Sequence, residues 1–230
     1  MRLVTWNIAR GASAEKDSFI APLSADVLVL QECARPDELR DQHLWFGTNV
    51  RKGVSVQTFG EYRLSALPVR ENTPPYFIPI EVTGPESFLL IAVWAQKEPF
   101  PYVEGVSRAI ASYADMISTR PTVLLGDFNS NAIWDAEHPA EHNHSAFVSN
   151  LDQLGCASVY HEYFTEAHGS ETRPTYFHWW KEDHPFHIDY VFIPKKWLSR
   201  LENVEVASFA QCKGASDHRP ISVVLRDAVA

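Results

Sequence analysis

Val123-Leu124-Leu125-Gly126-Asp127-Phe128-Asn129 passes within seven residues from an apolar run to two polar side chains, with a glycine at the junction. Three consecutive apolar residues bounded by turn formers predict a short strand buried on both faces. Asp127 and Asn129 then stand where that strand leaves the core. The same event occurs twice more. Leu3-Val4-Thr5-Trp6 runs into Asn7, and Val27-Leu28-Val29-Leu30 runs into Gln31-Glu32. Strand ends are where sites assemble, because side chains there are rigidly held yet reach solvent.

Near the C-terminus the same arrangement is approached from the other side. Ser216-Asp217-His218-Arg219-Pro220 precedes the apolar run Ile221–Leu225, and Asp189 lies within His187-Ile188-Asp189-Tyr190-Val191-Phe192-Ile193. At period two, Asp189 shares a face with Val191 and Ile193. A carboxylate on an apolar strand is costly unless paired, and His218 is the candidate partner. Phe88–Trp94 adds another buried run, making at least six strands. Helical spacing appears between them: Val106, Ala109, Ile110, Tyr113, Ala114 and Ile117 mark one face. Phe147, Val148, Leu151 and Leu154 mark another, with Gly155 placed as the stop. Intermixed strands and helices point to an α/β sandwich, helices covering packed sheets.

Composition narrows the class. An apolar fraction of 45% with seven tryptophans provides a sizeable core. There is no internal repeat and no flexible linker, and the fifteen prolines are spread as turn punctuation, so a single domain over residues 1–230 is expected. No apolar run reaches membrane-spanning length. The N-terminal residues Met1–Asn7 lack the features of a secretory signal. Cys33, Cys156 and Cys212 match no metal or redox spacing, so a reduced, cytoplasmic setting is expected. The formal charge of −9 argues against coating nucleic acid by general electrostatics. It is compatible with acidic side chains gathered around a metal, and it leans towards a small or short substrate.

Taken in order, Thr5-Trp6-Asn7, Leu30-Gln31-Glu32, Gly126-Asp127-Phe128-Asn129, Ile188-Asp189-Tyr190-Val191 and Ser216-Asp217-His218-Arg219-Pro220 resemble the five signatures of the endonuclease/exonuclease/phosphatase (DNase I-like) superfamily. Each alone has an ordinary structural reading: a turn residue, an Asx-turn, a helix cap or a surface acid. All five in order, each at a strand end, form a specific signal. The resemblance implies a four-layered α/β sandwich, two packed mixed sheets flanked by helices. It implies a metal-dependent hydrolase of phosphoester bonds, with water attacking phosphorus in line.

The implied roles follow residue by residue. Glu32, with Asn7 and Asp217, would hold Mg²⁺ or Mn²⁺, hard cations suited to oxygen ligands. Asp127 would orient and deprotonate the water, and Asn129 would donate to a phosphate oxygen. His218, held by Asp189, would stabilise phosphoryl charge or share the proton transfer, leaving the general base open between Asp127 and His218. Where the family places a His at the end of a central strand, this chain reads Trp94-Ala95-Gln96, so Gln96 or Tyr102 is the candidate phosphate contact. In the aromatic stretch Tyr176–Trp180, Trp180 is the candidate to line the cleft together with His187, since aromatic faces stack on bases or sugars. His138, His142 and His144 resemble a metal-binding run. Pro139 works against a regular helix there, and a polar loop is the expected outcome. Three functions then compete: a nuclease or phosphodiesterase acting on DNA or RNA, a hydrolase of small phosphoesters, and a non-catalytic binding module. The full set of seven site residues speaks against the last. The oligomeric state is left open.

Overall fold

A computed structural model describes residues 1–39 and 41–227; Arg40 and residues 228–230, which the expected 1–230 span includes, lie outside the described residues. In chain order the first strands are β1 (Arg2–Asn7), β2 (Val27–Cys33), β3 (His43–Asn49), β4 (Lys52–Thr58) and β5 (Arg63–Ala66). A short helix, α1 (Asp17–Ile20), lies between β1 and β2. Then come β6 (Phe77–Thr83), β7 (Phe88–Trp94), helix α2 (Tyr102–Thr119) and β8 (Thr122–Asp127). Helix α3 (His144–Gln153), β9 (Cys156–Ser158) and helix α4 (Val159–Phe164) follow. The chain ends through β10 (Tyr176–Phe177), β11 (Pro185–Phe186), β12 (Asp189–Pro194), β13 (Leu201–Val206) and β14 (Ile221–Leu225).

Two mixed sheets of six strands result, in the orders β13-β14-β1-β2-β4-β3 and β5-β6-β7-β8-β12-β9; β10 and β11 form a separate ribbon. Each sheet holds one parallel pair, β1 with β2 and β7 with β8, among antiparallel neighbours. The sheets pack face to face on a core that includes Leu3, Val27, Val29, Ile221 and Val223 from one and Leu90, Val123, Leu125, Val191 and Ile193 from the other. Alternation sends the remaining residues outward. Leu124, Phe128, Tyr190 and Phe192 pack under α2 and α3, while Val4, Trp6, Leu28 and Leu30 pack beside Phe19, Ile20 and Leu23. This is the expected four-layered sandwich of the DNase I-like fold.

The apolar spacing read over 106–117 falls inside α2, whose buried face carries Val103, Val106, Ala109, Ile110, Tyr113 and Ile117. Each such side chain, fully buried, contributes about 1.5–3 kcal/mol if aliphatic. Helix α3 starts at an Asn143 cap whose Oδ1 accepts the Ala146 N–H at 2.8 Å. Beyond it Gly155 takes φ +86, as its position at the helix stop predicts. The three cysteines are buried and unpaired. Among the described residues no helix is long and apolar enough to cross a membrane.

Candidate active site

The parity that builds the core also builds the site. On β1, Leu3 faces the opposite sheet, so Asn7 two alternations later faces it too; Asp127 follows Leu125 and Asp189 precedes Val191 in the same way. All three are buried at one end of the sandwich. There the sheets are joined: Asn7 Nδ2 donates to Asp127 Oδ2 at 3.0 Å, across the interface between β1 and β8. Asn129 donates to the same carboxylate twice, from Nδ2 to Oδ2 at 3.1 Å and from its backbone N–H to Oδ1 at 2.9 Å.

Gly126 makes this placement possible. It adopts φ +146 where β8 pairs with β7 at Val93, and a Cβ there would fall 1.8 Å from the Val93 carbonyl oxygen. Glu32 is aimed differently. The β2–β4 register shifts between Leu30 and Cys33, and Glu32 itself takes φ +54, so the bulge turns its carboxylate into the cleft.

His218 and Asp217 arrive on the segment before β14. Ser216 Oγ donates to the Asn7 carbonyl at 2.7 Å and accepts the His218 N–H at 3.0 Å, while Trp6 Nε1 donates to the His218 carbonyl at 3.1 Å. Arg219 is fully buried. Its Nη1 donates to the carbonyls of Ser216 and His218 at 2.6 and 2.8 Å, and its guanidinium lies over Phe177 and Phe209 at 4.8 and 4.9 Å. His218 Nδ1 then donates to Asp189 Oδ2 at 2.9 Å. Thr175 fixes the Asp189 backbone by accepting its N–H at 3.0 Å.

Electrostatics at this end are strongly coupled. Burial pushes the Asp127 carboxyl up, the nearby Asp189 charge adds to this, and His218 opposes it. Burial alone would lower His218, but Asp189 and Asp127 outweigh it and raise the ring to about 9. Ligand atoms of Asp127, Asp189 and His218 lie within 4.8 Å of one another. We read this group as a hydrogen-bonded ion cluster, because the His218 nitrogen nearest Asp189 is already committed as a donor.

A cleft of about 480 Å³ opens over these residues, lined by Glu32, Asp127, Asn129, Asp217 and His218. Gln96, Tyr102 and Trp180 line it as well. Asn7 lies beneath the cleft and Asp189 behind His218, so ten of the residues picked from the sequence, His187 not among them, come to one end of the sandwich. Gln96 folds back, its Nε2 donating to the carbonyl of Ala95 at 3.2 Å. Trp180 is 46% exposed. Five non-glycine residues of the lining, Ala9, Arg10, Glu32, Asn129 and Trp180, have left-handed φ between 47 and 74°. Such conformations persist where surrounding structure dictates them, and they concentrate at functional sites.

One expectation is corrected. His187 does not line the cleft; it is buried, with Nδ1 donating to the Arg173 carbonyl at 2.8 Å. The His138–His144 run does not gather into a metal site, in keeping with the reading of it as a polar segment, and His144 turns inward to hydrogen-bond with His168 at 2.9 Å. Sequence reasoning misses two other residues of the lining. Lys52 lies over the Trp94 ring at 5.1 Å, and the Tyr176 ring lies 4.6 Å from that of His218, tilted by 41°, while its hydroxyl bonds His178 Nδ1. Tyr176 carries a signal, its position in the aromatic stretch before Asp189. Lys52 is legible only as one of several scattered basic residues, because the β2–β4 pairing is what brings it in.

The model of the Endonuclease/Exonuclease/phosphatase family matches residues 4–218. The chain belongs to this family. Its members are hydrolases acting on phosphoester bonds, and they generally use divalent metal ions. No curated protein matches the chain by sequence. Among solved structures, the chain is similar to a variant of the 3′ phosphatase NExo from Neisseria bound to product DNA hairpin. The TM-score is 0.72 at 19% identity, covering 98% of this chain and 99% of that one. The AP endonuclease LMAP from Leishmania major gives 0.71 at 14% identity, covering 99% and 88%. The endonuclease domain of TRAS1, a telomere-specific non-LTR retrotransposon, gives 0.69 at 17%, covering 98% of each chain. At these identities the likeness establishes the family's fold.

Proposed function

We propose that the chain, acting as one catalytic domain, is a Mg²⁺- or Mn²⁺-dependent hydrolase of phosphoester bonds in nucleic acid. The observation that carries this reading is the convergence of two hydrogen-bonded units, Asn7–Asp127–Asn129 and Asp189–His218, on the cleft that Glu32 and Asp217 share. Glu32 and Asp217, supported by Asn7, form an all-oxygen donor set that fits a hard divalent cation. When bound there, such an ion would supply Lewis-acid charge to the phosphoryl oxygens.

The chain's own residues account for the rest. Asp127 is held by three hydrogen bonds, and burial moves its carboxyl upwards towards neutrality, which suits it to accept the proton of the attacking water. His218, kept protonated by Asp189, donates to the phosphoryl group as charge grows there. Asn129 Nδ2 is placed to donate to a non-bridging oxygen. Arg10 and Lys52 at the cleft wall add positive charge.

Two features favour nucleic acid. A neighbouring hollow of about 450 Å³, lined by Tyr102, Val103, Trp134, Phe186 and Ile188, offers an apolar seat for a base or sugar. The similar structures named above also include one bound to a DNA product and others called endonucleases. The net charge of −9 supports a second reading, a hydrolase of small phosphoesters. A panel of plasmid, an abasic-site duplex, 3′-phosphorylated DNA, single-stranded DNA and phosphomonoesters, with Mg²⁺, Mn²⁺ or EDTA, tests both. Turnover on a DNA substrate that EDTA, Glu32→Ala and His218→Ala each abolish is the expected result. Turnover confined to small phosphomonoesters would select the second reading. Turnover indifferent to both substitutions would overturn the site.

A further inference from the structure

Away from the cleft, four histidines and a glutamate meet on the outer side of β12, around Tyr190. They come from α3 (His144), α4 (His161), the loop after α4 (His168 and Glu171) and the residues before β12 (His187). Ligand atoms of His161, His168 and Glu171 all lie within 4.8 Å of one another. We propose that these three residues form a second cation site, of the zinc class, that ties the loop between α4 and β10 to the sandwich.

Geometry supports chelation. His161 Nε2 lies 3.0 Å from Glu171 Oε1. The His161 and His168 rings stack at 3.4 Å with 16° between planes, so one ring must turn for both in-plane lone pairs to meet one ion. Ligand atoms around a tetrahedral zinc at 2.0–2.1 Å stand about 3.3 Å apart, so small side-chain shifts complete the shell. Two imidazoles and one carboxylate form a donor set that zinc-class ions prefer over Mg²⁺ or Ca²⁺. The side chains of His161 and Glu171 are only 9% and 4% exposed, which suits a closed, structural site.

Each candidate ligand is also oriented from behind, as metal ligands generally are. Ser158 Oγ bonds His161 Nδ1 at 2.7 Å. His144 Nε2 bonds His168 Nδ1 at 2.9 Å, and Ser130 Oγ bonds His144 Nδ1 at 3.1 Å. Glu171 accepts from Asn131 Nδ2 and from the Gly169 N–H, both at 3.1 Å.

A separate observation points to a ligand. His187 donates its Nδ1–H to a carbonyl, so its Nε2 carries a lone pair, and that buried atom has no hydrogen-bond partner. Its ring lies 6.2 Å from that of His161 and supplies a reserve fourth donor. A plain His161–Glu171 ion pair accounts for one contact here but leaves this lone pair unexplained.

The test uses the full chain. Chelator-treated protein carrying Glu32→Ala, which weakens the hydrolytic site, is titrated with Zn²⁺ and separately with Co²⁺. X-ray absorption is recorded on zinc-loaded wild type. Expected are one equivalent of tightly held Zn²⁺, tetrahedral Co²⁺ bands in the visible, and a zinc shell with imidazole scattering. His168→Gln should abolish the tight equivalent, and His142→Gln should leave it unchanged. Absence of a tight equivalent, a six-coordinate all-oxygen shell, or binding unaffected by His168→Gln would each overturn the proposal. The absorption measurement needs no variant, so a misfolded His168→Gln protein does not shield it.

Discussion

Replacing Gly126 with alanine should be among the most damaging single changes in this chain. The added Cβ would lie 1.8 Å from the Val93 carbonyl oxygen and 2.7 Å from its carbon, whereas real Cβ contacts essentially never fall below 3.0 Å. β7 and β8 must therefore separate by at least about 1.2 Å at Val93/Gly126, within a parallel pair that continues to Trp94/Asp127. The adjoining bond from the Ala95 N–H to the Asp127 carbonyl, 2.8 Å long, would stretch with it. Two buried backbone bonds left weak or unmade cost about 1–3 kcal/mol each. Holding an L-residue at φ +146 costs about 1–3 kcal/mol more. A loss of about 4 kcal/mol or more follows, or a fall in Tm of roughly 10–15 °C for a chain of this size. Gly155→Ala is the control. It also has positive φ, +86, but no atom lies within 4 Å of its added Cβ, so only about 1 kcal/mol should be lost. Urea denaturation followed by tryptophan fluorescence compares them directly. Equal losses within about 1 kcal/mol would refute the argument from close strand approach. Activity measured well below the Tm of the variant should also drop about 100-fold, because Asp127 rides on the displaced strand.

Further outcomes bear on the cluster before β14. Asp189→Asn keeps an acceptor for His218 Nδ1 but removes the charge that outweighs burial, so the pKa of His218 should fall from about 9. The protonated ring is then lost at lower pH. kcat should drop about 10²- to 10⁴-fold with little change in KM or Tm, and the alkaline limb of the pH–kcat profile should move towards acid. Arg219→Lys replaces a planar fork that donates to two carbonyls and packs over two phenyl rings with a single ammonium. About 2–3 kcal/mol of stability should be lost in chemical denaturation, with reduced kcat as Asp217 and His218 loosen.

The six strands legible as apolar runs are β1, β2, β7, β8, β12 and β14, and every one is an interior strand. All four sheet edges, β13, β3, β5 and β9, escape that reading, for a physical reason. An edge strand needs no continuous apolar run, and Arg63–Ala66 or Leu201–Val206 keep most of their residues exposed or only partly covered. The interior strands β4 and β6 hide for other reasons. Lys52–Thr58 carries Gly53 and Ser55, and Phe77–Thr83 carries Pro79, residues that argue against a strand until the pairing is known. The candidate site residues avoid this difficulty because they lie at or beside the ends of interior strands, where a buried run marks both the element and the point at which it emerges. The histidine cluster shows the converse. His144, His161, His168 and His187 share no spacing and sit on four segments, and the conspicuous local run, His138 to His144, scatters in the fold. A site assembled along strand ends can be read from sequence, because one physical rule places every member. A site assembled between a helix, a loop and a sheet face needs the long-range contacts first, and none of its members announces the others.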